Sequence, residues 1–320
     1  MTFSRRIRWL NGRYANVDGI PFNMPVRTQT SPALFAAFAI DADQAALLLP
    51  GQELQPLRIF GHGLLVIAVV DYLDTTIGKY VEFCIGIMVT HGTRRAPALP
   101  ALALRSLYGT GVYIYDLPVS TEISVKGGLG IWGMPKRQAN LDYIVGDETV
   151  STQYDLDGQL VVRLDIPRPR QTGLPMIMNG VAYGGFRGML HKSYVHLRGG
   201  TGITLGGRQA RLLIGDHPRA EPLKHLDIRP TALGTGFTPT VDGVLDDHIE
   251  TWYLTADDPP PAPEVGLRDV VGLNLSQQWL APPDRGTSDL LMTALSPSER
   301  VGHRSQPLED VMAKLRANVP

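Results

Sequence analysis

The chain has 320 residues, of which 43% are hydrophobic and 19% are charged, and its formal net charge is −1. This length allows one large domain or two small ones, with enough apolar material for a core. The near-zero charge argues against a sequence-independent nucleic-acid binder, which needs a basic excess to neutralise phosphates.

The cysteine content and the apolar segments indicate the cellular compartment in which the protein is expected. Cys84 is the only cysteine, which excludes an intrachain disulfide and a cysteine-based zinc site. The basic residues 1–10 are not followed by an apolar stretch of signal-peptide length. The longest apolar run, Gly63 to Val70, is too short to span a bilayer. These features predict a soluble, cytoplasmic protein that does not bind a membrane or nucleic acid.

In chain order, the first clear element is a short helix over Asp41 to Leu49, which begins with acidic residues and stops at Pro50. Further along, runs rich in β-branched and aromatic residues and bounded by Gly, Pro or Asp predict strands. These runs are Leu64–Val70, Tyr80–Val89, Val112–Tyr115, Val161–Ile166 and Ile249–Leu254. Asp157-Gly158 is a typical hairpin turn before the fourth of them.

Strands and helices do not alternate along the chain, so a doubly wound sheet is not expected. The pattern favours a mainly antiparallel β domain, residues 1–256. The proline-rich stretch Asp257–Pro263 predicts a stiff linker, and residues 257–320 then form a C-terminal extension. Its last part predicts a helix capped by Ser305, with Leu308, Val311, Met312 and Leu315 on one face. Leu273–Leu280 in the same extension could cover the mouth of the domain, but an oligomer contact is the favoured interpretation.

Several motifs carry little functional signal. Gly199–Gly207 lacks the lysine of a phosphate loop, and a turn between strands is the better interpretation. His191 and His196 are five residues apart, on opposite faces of a strand, so no metal site is predicted. No Gly-x-Ser-x-Gly element supports a serine hydrolase.

The segment Gly127–Arg137 combines four glycines and a proline with apolar residues, and it ends in two cations, Lys136 and Arg137. Glycine and proline favour a tight bend, so the segment is interpreted as one. A lysine amine must be neutral to attack a carbonyl, and both desolvation and a neighbouring cation favour the neutral form. On chemistry alone, a surface turn with a Lys-Arg pair remains the better interpretation.

A resemblance changes this balance. Met134-Pro-Lys-Arg137, after its glycine-rich run, resembles the Pro-Lys-Lys motif of acetoacetate decarboxylases, in which the first lysine forms a Schiff base and the second tunes it. Three further segments agree in order: Ile40–Gly51 with an early helix, Lys79–Phe83 with a Tyr-Thr-Glu segment, and Arg211–His217 with a later Asp-His segment. The resemblance covers roughly residues 20 to 255.

The resemblance implies Lys136 as the Schiff-base lysine, Glu82 as the active-site glutamate and Arg137 as the tuning cation. It also implies an antiparallel, cone-like β barrel with flanking short helices, no cofactor and a homo-oligomer. Trp132 and Met134 become candidates for the substrate-binding wall.

The departures from the family pattern affect the substrate. The family's Gly-Arg-Glu corresponds to Gly128-Leu129-Gly130, which lacks the charged pair. The family arginine that engages the substrate carboxylate falls near Ser31, so Arg27, four residues earlier, is a substitute candidate. The predicted function is therefore a lyase that forms a lysine imine with a carbonyl compound, by decarboxylation or by aldol, retro-aldol or dehydration chemistry. The alternative is a non-catalytic relative that binds a small molecule, and a purely structural role is a third reading.

Overall fold

The structure, a computed structural model, describes residues 13–170, 172–206 and 209–255, and these residues form one compact unit. Strands dominate it. They are β1 (Arg13–Val17), β2 (Ile20–Met24), β3 (Val26–Ile40), β4 (Leu54–Pro56), β5 (Gly63–Tyr72), β6 (Asp74–Thr75), β7 (Tyr80–His91), β8 (Gly111–Val119), β9 (Lys136–Gln138), β10 (Asn140–Leu141), β11 (Ile144–Val145), β12 (Thr149–Leu156), β13 (Gln159–Pro167), β14 (Leu174–Phe186), β15 (Met189–Leu205), β16 (Arg211–Ile214) and β17 (Gly234–Tyr253).

The helices of the described residues are short. They are α1 (Ala42–Leu47), α2 (Ala98–Ala103), α3 (Arg105–Tyr108), α4 (Glu122–Trp132), the 3₁₀ turn Pro218–Ala220 and α5 (Glu221–Lys224). Within the described ranges, no helix has the length and apolar character needed to cross a membrane.

A closed β barrel organises the molecule. Its strands follow the order β7-β5-β3-β17-β15-β14-β8, and β8 pairs with β7 again to complete the ring. The neighbouring strands are antiparallel except β8 and β14, which run parallel through Val112–Ala182 and Tyr113–Tyr183. Closure leaves none of these seven strands with an unpaired edge in the ring. The predicted mainly β barrel with flanking short helices is confirmed, with one parallel pair.

A second sheet packs against this barrel. It consists of β10, β11, β12, β13 and β16. Its buried residues, among them Val150 and Tyr154, belong to the same apolar cluster as Leu34 and Phe83 of the barrel. The rings of Phe83 and Tyr154 lie 6.0 Å apart, a distance typical of paired aromatic side chains. The second sheet therefore fixes the outer face of the barrel wall that carries Phe83.

The sequence predicted local structure correctly where particular residues determine the backbone conformation, as at the start of α1 and in the β12–β13 turn. The Asp41 side chain accepts hydrogen bonds from the backbone of Asp43 and Gln44, at 2.7 and 2.9 Å, and so begins α1 as predicted. Asp157 and Gly158 both have positive φ, 51° and 75°, as the turn between β12 and β13 requires. Four of the predicted strands lie within β5, β7, β8 and β13, and the fifth, Ile249–Leu254, overlaps the end of β17, which stops at Tyr253.

The interpretation of Gly199–Gly207 as a turn between strands is wrong over residues 199–205, because these residues continue strand β15. A Cβ on Gly199 would lie 2.6 Å from the Thr240 carbonyl oxygen, and one on Gly200 would lie 2.6 Å from that of Thr172. Gly199 and Gly200 therefore allow neighbouring backbone segments to approach β15 closely.

The interpretation of Gly127–Arg137 as a bend is also wrong for its first half. Gly127 to Trp132 form the end of helix α4, and the chain turns only at Gly133, whose φ is 63°. Such a left-handed residue is the usual end of a helix. The helix thus leads directly into β9 and its lysine.

The predicted linker, the extension 257–320 and its terminal helix lie outside the described residues.

Candidate active site

Strand β9 carries the two cations that the sequence singled out. It pairs in parallel with β8, with Lys136 opposite Leu117 and Arg137 opposite Pro118. Successive side chains of a strand point to opposite faces. The two cations therefore leave the backbone in opposite directions, although they are adjacent in the sequence.

Lys136 is buried, and its side chain is only 4% exposed. Its Nζ lies 2.6 Å from Glu82 Oε2 and donates a hydrogen bond to Ser124 Oγ at 2.9 Å. It also lies 5.3 Å from the centre of the Tyr80 ring, within cation–π range. A buried amine needs such partners because desolvation of an unpaired charge is costly.

Two tyrosines complete the surroundings of Glu82. Tyr72 and Tyr80 face each other across β5 and β7, and their rings stack with centres 4.5 Å apart. The Tyr72 hydroxyl donates to Glu82 Oε1 at 3.2 Å. Burial, followed by the negative charge of Glu82, raises the pKa of Tyr72 and Tyr80 well above their ordinary value. Both phenols therefore keep their protons at neutral pH.

A cavity of about 90 Å³ opens at this cluster. Most of its wall is apolar, and its charged members are Arg27, Glu82 and Lys136. The lining residues are Val26, Arg27, Thr28, Tyr72, Thr75, Tyr80, Glu82, Met134, Lys136, Val195, Leu197, Gly243, Val244 and Leu245. A concave, mainly apolar space with a few convergent polar groups is the usual form of a small-molecule site.

Arg27 reaches the cavity from strand β3, where it lies opposite Val244 of β17. Ser31, the position nearest the family arginine by simple alignment, is fully buried and hydrogen-bonds Thr28 at 2.7 Å. The cavity therefore receives an arginine from a different position of the same strand.

Arg137 lies on the other side of β9. Its Nε donates to Asp116 Oδ1 at 2.9 Å, and Asp116 is only 3% exposed. The second oxygen of Asp116 accepts from Tyr154 at 3.2 Å and from Arg219 at 3.3 Å. The Arg137 charge is thus paired with a buried carboxylate, and Arg137 does not line the cavity.

Of the two predicted wall residues, only one lines the cavity, although both belong to the same core cluster. Met134 lines the cavity. Trp132 is 3% exposed, packs in a core cluster, and donates from Nε1 to the Asp246 carbonyl at 2.9 Å. It does not belong to the cavity wall, but its hydrogen bond ties the end of α4 to β17.

Sequence reasoning missed Ser124, Tyr72 and Tyr80. Had the strands Leu64–Val70 and Tyr80–Val89 been paired as neighbours, the register would have brought Tyr72 and Tyr80 together. Ser124 offers no local signal, because it becomes noticeable only if α4 is known to be a helix that faces Lys136.

Metal-binding candidates are few. The described ranges contain no cluster of three or more His, Cys, Asp and Glu side chains that could hold a metal ion. His191 and His196 both lie on β15, and His196 Nδ1 lies 2.8 Å from Asn179 Oδ1.

Comparison with known proteins agrees with this fold. Residues 14–179, more than half of the chain, match the family model of acetoacetate decarboxylase (ADC), so the chain belongs to that family. Glu82 and Lys136 fall within the matched residues. No curated protein matches the chain.

Two solved acetoacetate decarboxylase structures show the same fold at low identity. The acetoacetate decarboxylase from Legionella pneumophila is 18% identical, covers 75% of this chain and 88% of its own, and has a TM-score of 0.50. A second acetoacetate decarboxylase structure is also 18% identical, covers 72% and 89%, and has a TM-score of 0.51. The enduracididine biosynthesis enzyme MppR aligns at 15% identity over 72% and 88%, with a TM-score of 0.49.

Proposed function

We propose that this protein is an enzyme that forms a Schiff base between Lys136 and a small carbonyl compound. The observation that carries the proposal is the buried Lys136 amine at the cavity wall, in contact with Glu82 and Ser124. Lysine is rarely buried unless it is paired, and the pair of Lys136 with Glu82 lies beside a cavity that can hold a substrate.

The size and charge of the cavity support a compact substrate. A cavity of roughly 150 Å³ holds a benzene molecule, so about 90 Å³ suits a compound of a few heavy atoms. Arg27 supplies a cation that can bind a carboxylate, and the apolar wall suits a short carbon chain. These features favour a small keto acid, with Arg27 on its carboxylate and Lys136 at its carbonyl.

The chemistry begins with the neutral amine of Lys136. Its lone pair attacks the carbonyl carbon, a C–N bond forms, and the carbonyl electrons move to oxygen, which takes up a proton. Loss of water then gives a protonated imine. This cation withdraws electrons from the adjacent carbon and so serves as an electron sink.

With a β-keto acid, the bond to the carboxylate then breaks. Its electron pair moves toward the imine nitrogen, carbon dioxide leaves, and an enamine remains. Protonation of the enamine carbon and hydrolysis of the imine release the ketone and free Lys136. The same enamine can instead attack an aldehyde, so aldol, retro-aldol and dehydration reactions belong to the proposal.

Glu82 is proposed as the residue that holds Lys136 and moves protons during imine formation and hydrolysis. Its oxygens contact Lys136 and Tyr72, and a carboxylate in this position can accept and return a proton. Arg137 was predicted to tune the amine, but its ion pair with Asp116 favours a supporting role for β9. Trp132 is proposed to support the end of α4 through its hydrogen bond to the Asp246 carbonyl. Met134 is proposed to form part of the wall that contacts the substrate.

Reductive trapping tests the proposal. The protein is incubated with acetoacetate, pyruvate or larger keto acids together with borohydride, and the modified peptide is identified by mass spectrometry. We expect one adduct on Lys136 and none after Lys136→Met. A keto acid that raises the melting temperature without forming an adduct or turning over would support the binding alternative instead.

Two further expectations concern the oligomeric state and the location in the cell. The exposed Leu99, Leu104 and Leu107 of α2, α3 and their junction are compatible with a homo-oligomer, which light scattering would measure. A cytoplasmic location is proposed from the single cysteine, and cell fractionation would test it.

A further inference from the structure

Helix α4 bears an unusual glycine at the point where Lys136 crosses it. A Cβ on Gly128 would lie 2.3 Å from Lys136 Cδ and 2.6 Å from Cε. Real Cβ atoms do not approach other atoms so closely. The aliphatic stem of Lys136 therefore lies directly against the helix backbone, in space that only a glycine leaves open.

The backbone of α4 does not itself demand this glycine. Gly128 lies inside the helix, away from the left-handed residue Gly133 that ends it. Glycine in a helix interior destabilises the helix relative to alanine, because the unfolded chain is freer. The close passage of Lys136 gives a physical reason for a residue that the helix alone would disfavour.

Ser124 continues the same path. It precedes Gly128 by four residues, so the two lie on one face of α4, one turn apart. Ser124 is fully buried, and its Oγ accepts the hydrogen bond from Lys136 Nζ at 2.9 Å. The lysine stem thus crosses the helix at Gly128 and ends at Ser124.

This arrangement fixes the direction of the reactive electron pair. A neutral amine has two hydrogens and one lone pair in a tetrahedral arrangement with its carbon. Ser124 Oγ and Glu82 Oε2, at 2.9 and 2.6 Å from Nζ, provide acceptors for the two hydrogens. The lone pair then occupies the remaining tetrahedral direction, and Lys136 itself lines the cavity.

We infer that Ser124 and Gly128 form a track on helix α4 that orients the Lys136 amine for attack. Gly128 is the positioning residue, since it determines where the stem runs. Ser124 touches the reacting nitrogen and selects its orientation together with Glu82. The inference rests on the proposed Schiff-base function and adds the residues that make the lysine competent.

The same helix provides a matched control. A Cβ on Gly130 would lie 2.5 Å from Val17 Cγ1, so Gly130→Ala introduces an equal methyl group and a comparable clash. Val17 belongs to β1 and does not line the cavity. Any loss shared by Gly128→Ala and Gly130→Ala reports packing of the helix, whereas a loss confined to Gly128→Ala reports the lysine.

The test uses the full chain and acetylacetone, a β-diketone that condenses with a neutral lysine amine, loses water, and gives a stable enaminone with a distinct absorbance. The rate is measured against probe concentration, which separates the maximal rate from the half-saturating concentration. We expect Gly128→Ala to lower the maximal rate about a hundredfold, the usual effect of misplacing a reacting group by about 1 Å. The half-saturating concentration should stay unchanged, because the cavity wall is retained.

Ser124→Ala removes one acceptor without adding bulk, and so it tests the track where folding is not at risk. We expect its maximal rate to fall about tenfold, the usual effect of losing one hydrogen bond to a charged or reacting group. Gly130→Ala should keep the wild-type rate. Circular dichroism and melting temperature verify the fold of each variant.

The outcomes separate the two proposals. If the wild-type protein forms no enaminone on Lys136, the Schiff-base function is overturned and the track with it. If the wild type reacts and both Gly128→Ala and Ser124→Ala react as fast as the wild type, the track alone is overturned. Equal losses in Gly128→Ala and Gly130→Ala, with both rate and half-saturation changed, would also overturn it, since they would assign the effect to helix packing.

Discussion

Lys136 and Arg137 are neighbours in the sequence, and strand β9 directs them into two different environments. On one side, Lys136 meets Glu82 and Ser124 at the wall of a cavity. On the other side, Arg137 meets Asp116, which is also bonded to Tyr154 and Arg219. Both cations contact a carboxylate, but of the two only Lys136 lines the cavity. In the proposed function, the cavity beside Lys136 distinguishes it from Arg137, and adjacency in a strand does not bring two charges together.

The most severe way to test the cavity side is to remove the amine. Lys136→Met keeps a long, apolar side chain but has no nucleophile, so we expect no detectable adduct with any keto acid and loss of at least a thousandfold in turnover. Borohydride trapping with mass spectrometry measures the first effect and product formation the second. Persistent trapping on another lysine would contradict the assignment.

The next test removes the charge that faces Lys136. Glu82→Gln keeps the shape of the side chain but cannot take up a proton, so the rate of imine formation should fall about a hundredfold or more. Glu250→Gln is the matched control, because Glu250 forms a 2.9 Å pair with Lys192 and does not line the cavity. Similar rates for the two variants would remove Glu82 from the mechanism.

The opposite side of β9 should respond in stability. Asp116→Asn leaves two arginines without their buried carboxylate, and we expect the free energy of unfolding to fall by about 2 kcal/mol. Urea unfolding measures this loss, and Asp242→Asn at the exposed Arg198 pair should change it by less than about 0.5 kcal/mol. The folded Asp116→Asn protein should retain most of its trapping rate.

The smallest expected change belongs to Arg137 itself. Because its charge is paired with Asp116, we expect Arg137→Gln to alter the rate of adduct formation less than about threefold and to reduce stability by about 1 kcal/mol. The measurement is the adduct rate across pH, beside urea unfolding. A large displacement of the pH profile would show instead that Arg137 tunes the amine across the strand.

The predictability of the fold varied with the kind of signal. Strands such as β5 and β7 and the Asp157-Gly158 turn were predictable, because alternation, β-branched residues and turn residues act locally. The interpretation of Gly127–Arg137 and Gly199–Gly207 as turns was wrong over much of both segments, because glycine occurs both in turns and where backbone segments pack closely. A single sequence cannot show which neighbour, such as Lys136 at Gly128, will come close.

The candidate site was predictable only through resemblance. The pairing of Lys136 with Glu82 joins β9 to β7 and depends on the closed barrel, so nothing local in either segment indicates it. Alternation along β9 could have warned that Arg137 faces away from Lys136. The tyrosines were missed because the pairing register of β5 and β7 was not predicted, and Ser124 was missed because its role requires that α4 be known as a helix facing Lys136.

The pairing of β3 with β17 has a consequence for the newly made chain. Arg27, one of the first cavity residues to be synthesised, lies opposite Val244, one of the last. Contacts of such long sequence separation are slow to form, because the long intervening loop must first be closed. A nascent chain still on the ribosome therefore already contains Lys136 but lacks the wall that encloses it. The complete cavity can therefore form around Lys136 only after synthesis has passed the final barrel strand, β17.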